Sequence, residues 1–168
     1  MRADLAMAAS CAMLLVSCTV EDPPSSDVEQ TMLTALSSYA SFTKINRAPF
    51  ASAAGAFDVN VLTSEASTSY AKIHPDTSDS HVVLPVGTVI VREVLDGTNA
   101  IAKLTVMAKA PPGADPTLGD WWFAVTDPRG VPQIVDGIPQ IGPMPACQAC
   151  HLPRSGDDYL FGVASTDE

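Results

Sequence analysis

Five residues near the C-terminal end set two thiols and an imidazole at a spacing that can do chemistry: Cys147-Gln148-Ala149-Cys150-His151. Cys-x-x-Cys-His is the attachment signature of a c-type haem. Each thiol adds to a vinyl group of the ring as a thioether, and the histidine then lies under the iron as an axial ligand. The expected cofactor is one haem c per chain, anchored by Cys147 and Cys150, with His151 as the metal ligand. Such a cofactor brings the hard chemistry and the protein tunes it. Two other uses of the thiols compete with this one. A structural zinc site usually takes a second ligand pair. The other candidates are Cys18, His74 and His81, with no second Cys-x-x-Cys and no closely spaced histidine pair. A thioredoxin-like dithiol normally opens a helix in a βαβ pattern, and no such pattern is visible.

Attachment of haem c requires export, and the first residues read as an export signal. Arg2 precedes an apolar run from Leu5 to Val16, interrupted by Ser10. The run is too short to span a bilayer, which takes about 20 residues, and it fits the apolar region of a signal peptide. It ends in Leu15-Val16-Ser17-Cys18, which resembles the lipobox of bacterial lipoproteins. That resemblance implies cleavage before Cys18 and a diacylglycerol on its thiol, with a plain secretory peptide cut slightly later as the rival. Thr19 rather than Asp follows Cys18, which by analogy with Gram-negative sorting favours the outer membrane, on its periplasmic side. Several acyl chains make such an anchor stable, where one binds only marginally. The expected division is a signal peptide over 1–17, a lipidated tether over 18–26 and a haem-binding domain over 27–168. Cys11 falls within the signal, so no cysteine is left for a structural disulfide.

Loss of residues 1–17 leaves the length of one domain, enough for one core around one haem. Nine basic and nineteen acidic side chains give a net charge of −10, and Arg2 and Asp4 cancel, so cleavage leaves it unchanged. An acidic surface argues against binding nucleic acid or anionic lipid headgroups. It serves solubility, or docking of a basic redox partner protein.

The elements that must position the motif follow from periodicity. Asp27 reads as a helix N-cap, with Val28, Met32, Leu36 and Tyr39 forming a stripe, and Leu33 and Ala40 beside it, on one amphipathic helix over 28–44. Residues 47–57 read as a loop, 57–62 as a strand, and 65–73 as a short helix stopped by Pro75. Strands are expected over 87–95, 101–109 and 120–126, separated by Asp96-Gly97 and Pro111-Pro112-Gly113. Asp127-Pro128-Arg129-Gly130 reads as a type I turn, returning into a short strand over 131–135. Short turns between strands imply an antiparallel sheet. A proline-rich stretch over 139–145 delivers the chain to the haem motif, and 157–163 ends the domain. The expected fold class is α+β: mainly antiparallel β-sheet with an N-terminal helix and short helices, and haem attached near the C-terminus.

Several segments, taken in order, resemble the cytochrome P-460 family, which includes the β-sheet cytochromes c′ (c′-β). Gly87-Thr88-Val89-Ile90-Val91-Arg92-Glu93 is similar to a family strand that starts Gly-Thr and ends Lys-Glu. Leu104-Thr105-Val106-Met107-Ala108-Lys109 is similar to the next strand, and Gly119-Asp120-Trp121-Trp122-Phe123 to the Gly-Asn/Asp-Trp strand. Ala146 to His151, with Asp158-Tyr159-Leu160-Phe161 behind it, is similar to the haem segment. The resemblance covers about residues 57–163. It implies a mostly antiparallel sheet with helices, commonly a homodimer, holding one five-coordinate haem.

Two departures bear on activity. Hydroxylamine-oxidising members carry a lysine, cross-linked to a haem meso carbon, where this chain has Arg92. A guanidinium stays protonated and is a poor nucleophile. Those members also place a distal carboxylate where this chain has Thr105, which cannot act as a base near neutral pH. Lys103 and Lys109 share a strand face with Thr105 and Met107; either reaches the haem edge or both are solvated. Opposite His151, the position on iron is empty or is filled by Met107, Met144, His74 or His81. Ile90 and Met107 are expected near the pocket with Arg92 at its edge, where its fork suits a haem propionate. Three functions stay open. The first is binding or redox handling of a small diatomic or nitrogenous ligand such as nitric oxide. The second is an oxidoreductase using hydroxylamine or peroxide, and the third is simple periplasmic electron transfer.

Overall fold

A computed structural model of the chain describes residues 25–52, 57–65 and 67–163. The expected signal peptide, Cys11, Cys18 and most of the tether lie outside the described residues. Among the described residues, no helix is long and apolar enough to cross a membrane.

The fold is α+β, dominated by a seven-stranded antiparallel sheet with a helix at each end of the described chain. Helix α1 spans Ser25–Leu36 and is followed by a 3-10 turn, Tyr39–Ser41. Strands β1 (Thr43–Lys44), β2 (Phe50–Ala51) and β3 (Asp58–Thr63) come next, then a single helical turn, α2 (Ser67–Tyr70). The long strands β4 (Val89–Leu95), β5 (Ile101–Lys109) and β6 (Trp121–Thr126) form the middle of the sheet. Short strands β7 (Ile134–Val135), β8 (Ile138–Pro139) and β9 (Ile141–Gly142) precede helix α3 (Pro145–His151) and a 3-10 segment, Leu152–Asp157. The sheet order is β1-β3-β4-β5-β6-β9, with β2 also on β3, while β7 and β8 form a separate hairpin.

The long strands lie where β-branched runs and turn signals put them, because each ladder closes through a short local turn. Four expectations need correction. The first helix stops at Leu36, well short of residue 44. Ser37 and Ser38 turn their hydroxyls back onto the carbonyls of Thr34 and Ala35, a local bond that competes with helix continuation. Ala40 is accordingly exposed, off the stripe. At the other end the helix begins at Ser25, so Asp27 sits in the first turn, where a carboxylate favours the helix dipole, and is not the cap. The helix expected over 65–73 is reduced to one turn. Finally, the return strand expected over 131–135 is confined to Ile134–Val135 and pairs with β8, while Pro132 bridges to Thr126 at the end of β6. Asp136-Gly137, both at positive φ, close the separate β7–β8 hairpin. Asp-Gly is the dipeptide that favours such a turn.

Two apolar clusters flank the sheet. On one face α1 lays Met32 and Leu36 against Val89, Val91, Leu104, Val106, Trp122 and Ala124. Burial of each large side chain contributes roughly 1.5–3 kcal/mol. On the other face Ile90, Met107, Trp121 and Phe123 gather with Val61, Tyr70, Leu84, Leu160 and Val163. The register explains the second grouping. Ile90 pairs with Met107 and Met107 with Phe123, so the three form one row across the sheet. Arg92 and Thr105 form the adjacent row. Paired residues share a face, and the face of these two rows receives the C-terminal segment.

Along the outer edge of β3, β1 and β2 occupy successive halves. Between them buried Asn46 replaces the missing ladder. Its amide nitrogen donates to Ala48 O at 2.7 Å and Asn60 Oδ1 at 3.1 Å, and its carbonyl oxygen accepts from Val61 N at 2.7 Å.

Candidate haem-binding site

Strand β9 pairs with β6 at the sheet edge and hands the chain to α3. Met144 caps the helix in an extended conformation, Pro145 starts it, and the Met144 carbonyl accepts the N–H groups of Cys147 and Gln148 at 3.0 Å each. Proline suits that first position because its missing N–H would be unpaired there anyway. Cys147 and Cys150 fall one helical turn apart and His151 lies a turn after Cys147, so the three share one side of a short helix. Both thiols are free; Cys147 is half-buried and Cys150 exposed. The helix is tethered by its own motif, since Gln148 Nε2 donates to Asp115 Oδ2 at 2.7 Å.

His151 is oriented on three sides. Its ring packs 5.4 Å from Phe123 and 5.3 Å, edge-on, from Phe161, centroid to centroid. Its Nδ1 lies 2.6 Å from the carbonyl oxygen of Tyr159. A carbonyl only accepts, so Nδ1 carries the proton and Nε2 keeps a lone pair. A metal-binding histidine takes this form, its second nitrogen tied to a backbone carbonyl. Burial holds the imidazole pKa below its ordinary value, opposed by the Tyr159 bond and helped by the Arg92 charge. The net lowering favours the neutral ring.

The Tyr159 carbonyl is aimed by an unusual backbone. Asp158 and Tyr159 both have positive φ, 53° and 63°. That conformation is disfavoured for a side chain such as tyrosine by roughly 1–2 kcal/mol. It is stabilised from three directions. The Asp158 carboxylate forms an ion pair with Lys109 Nζ and accepts Leu84 N at 2.9 Å. The Asp158 carbonyl accepts Trp121 Nε1 at 2.8 Å, and Tyr159 N donates to Arg154 O at 2.8 Å. A second clasp lies beside it. Buried Arg154 donates to Leu160 O at 3.1 Å, to His74 O, and to Asp157 Oδ2 at 2.9 Å. The other Asp157 oxygen accepts Ser80 N at 2.7 Å.

Arg92 faces the same side of the sheet. Its Nε donates to Thr105 Oγ1 at 3.0 Å and its Nη1 to Ser52 Oγ at 2.9 Å. Among the described residues no ion pair includes it. Burial pulls its pKa down, while Tyr70, Cys147 and Cys150 act to raise it. A partly buried guanidinium without a carboxylate suits an anionic group.

The other expected residues sort clearly. Met107 is 9% exposed and sits in the row between Ile90 and Phe123. Met144 packs against the same cluster. His74 and His81 are exposed on the loop beyond α2, and His74 Nδ1 already accepts the N–H groups of Asp76 and Thr77 at 3.1 and 3.3 Å. The expectation that Lys109 is solvated is corrected: its side chain is 9% exposed. It is held by Asp158, with its ammonium 4.9 Å from the centre of the Trp121 ring. A tyrosine carbonyl eight residues past the motif carries no sequence signal of its own, and neither do the two aromatic contacts of His151. The general need of a ligand histidine for an Nδ1 acceptor is the only pointer to them.

These features bear on the competing uses of the thiols. Among the described residues no group of three or more His, Cys, Asp or Glu side chains gathers to hold a metal ion, and none of them joins the two thiols as a zinc ligand. A redox dithiol needs a lowered thiol pKa, whereas burial pushes that of Cys147 up. The donor set fits haem c: two free thiols a turn apart, an imidazole with Nε2 available, and an apolar face beside it. No family model matches the sequence, and no match to it exists among the curated proteins.

Proposed function

We propose that this chain is an exported mono-haem c protein that binds or redox-processes a small nitrogen species such as nitric oxide. In this reading Cys147 and Cys150 would hold the ring by thioethers and His151 Nε2 would hold the iron. Bound haem would supply ligand binding and one-electron chemistry. The observation that carries the reading is Cys-x-x-Cys-His on one helix with His151 Nδ1 already bonded to the Tyr159 carbonyl. Export and a lipid anchor at Cys18 belong to the same proposal and rest on the sequence of residues 1–18.

What the chain's own residues do follows from their contacts. Ile90, Met107 and Phe123 form an apolar row beside His151 that would keep water from a bound ring. Arg92 supplies one fixed positive charge, suited to a propionate of the ring or to a bound anion. The hydroxylamine-oxidising alternative is disfavoured, because Thr105 Oγ1 is engaged by Arg92 and Lys109 by Asp158. Simple electron transfer remains the second reading, favoured by the place of Met107 on the same face.

Optical spectra of the exported protein, oxidised and reduced, with and without carbon monoxide, test these readings. A high-spin ferrous spectrum that shifts with carbon monoxide is expected. A sharp low-spin spectrum indifferent to carbon monoxide would replace gas binding with electron transfer. A strongly red-shifted ferrous Soret band would revive a cross-linked enzyme, and absence of covalent haem would end the proposal.

A further inference from the structure

We propose that Lys109 and Asp158 are positioning residues for His151, acting through the Tyr159 carbonyl; this rests on the haem reading above. The connection is continuous. Lys109, on the central strand β5, pairs with one Asp158 oxygen while Leu84 N occupies the other. Trp121, the neighbour of Lys109 across β5 and β6, holds the Asp158 carbonyl. The next peptide carries the oxygen that meets His151 Nδ1 at 2.6 Å. Each link is buried or nearly so: the side chains of Lys109 and Asp158 are 9% and 4% exposed, and Trp121 is fully buried.

Packing alone does not require this arrangement. Two successive non-glycine residues in the left-handed region return the chain over His151, and a hairpin without that twist would aim the carbonyl elsewhere. The Tyr159 ring reinforces it by lying on Gly119, where a Cβ would come within 2.6 Å of the ring. The pair thus transmits the rigidity of the sheet to the histidine. A firmly placed acceptor draws the Nδ1 proton outward and makes Nε2 a stronger donor, which favours ferric iron and a lower potential.

The test uses the full, haem-loaded chain with Lys109→Met, Lys109→Arg and Asp158→Asn, and with Val106→Ala on the opposite face as a stability control. The reduction potential and the iron–histidine stretching frequency of the ferrous protein are read. Lys109→Met and Asp158→Asn are both expected to raise the potential and lower the frequency, and Lys109→Arg to stay near the wild type. Val106→Ala should melt earlier without moving either readout. A direct charge effect on the iron would shift the Met and Asn variants in opposite directions, and that outcome overturns the proposal. So does a lower melting temperature with both readouts unchanged, which would make the pair merely structural. Should Lys109→Met fail to fold, Asp158→Asn carries the test, because asparagine tolerates the left-handed backbone and keeps an acceptor for Leu84 N. Wild-type protein that carries no haem overturns this inference together with the functional reading, whereas haem without the shifts overturns this inference alone.

Discussion

Alanine at Gly162 is expected to destabilise the protein by about 3 kcal/mol or more. A Cβ there would lie 2.0 Å from the carbonyl oxygen of Ile73 and 2.9 Å from the carbonyl carbon of His74. Both are backbone atoms, so no rotamer change relieves the overlap. The φ angle at Gly162 is not positive, so the demand is for close approach and not for a special conformation. Gly156 meets Ser78 O in the same way, at 1.9 Å. Together the two glycines let the loop beyond α2 lie directly on the C-terminal segment. Thermal melts of Gly162→Ala should fall by roughly 10 °C. Gly97→Ala, with nothing within 4 Å of its Cβ, should stay close to the wild type. Equal melting temperatures for the two variants would mean that the segments do not touch as described.

The second large effect is chemical. His151→Ala removes the ring whose Nδ1 proton is held by the Tyr159 carbonyl and whose Nε2 keeps a lone pair, and it leaves that carbonyl without its donor. Loss of a supporting partner alone typically weakens metal binding 10–100-fold. Loss of the ligand itself should therefore reduce normally ligated haem protein by about tenfold or more. Haem content and the ferrous spectrum of protein purified from an export-competent host measure this. A variant with a wild-type spectrum would show that His151 is not the ligand, and the haem assignment would fall with it. Cys150→Ser is expected to lose normal haem incorporation as well, since Cys150 is the exposed thiol of the pair.

How much of this was legible depended on how local each cause is. Residues 101–109 form β5 to the residue, because alternation and the flanking Asp96-Gly97 and Pro111-Pro112-Gly113 turns all act within a few positions. The grouping of Ile90, Met107 and Arg92 came from the register of the resembled family, and the β4–β5 ladder places Ile90 opposite Met107 and Arg92 opposite Thr105. The end of α1 was not readable from its stripe, because Tyr39 continues the period while the Ser37 and Ser38 hydroxyls break the backbone. Lys109 shows the other limit. Its period places it on the face of Met107, but its partner arrives from 49 residues away. The backbone that delivers that partner has no glycine or asparagine at Asp158 and Tyr159 to announce its positive φ. Cys147, Cys150 and His151 were legible as a motif; the groups that aim the histidine were written in tertiary contacts.

The spacing of these contacts along the chain also sets the order in which they can form. Strands β3 to β6 are neighbours in both sequence and sheet, and only residues 96–100 separate β4 from β5. The bonds that seat the last segment reach much further: 91 residues from Tyr70 Oη to Phe161 O and 80 from Arg154 to His74. Ring-closure entropy grows with separation and must be overcome before a contact is rewarded. The meander should therefore assemble first and the segment dock late, so that pulse-labelled amides of β4 and β5 gain protection before Leu160 and Val163. For Cys147 and Cys150, late docking is an interval of access: under the haem proposal the thiols would stay open to attachment while the sheet beneath them is already built.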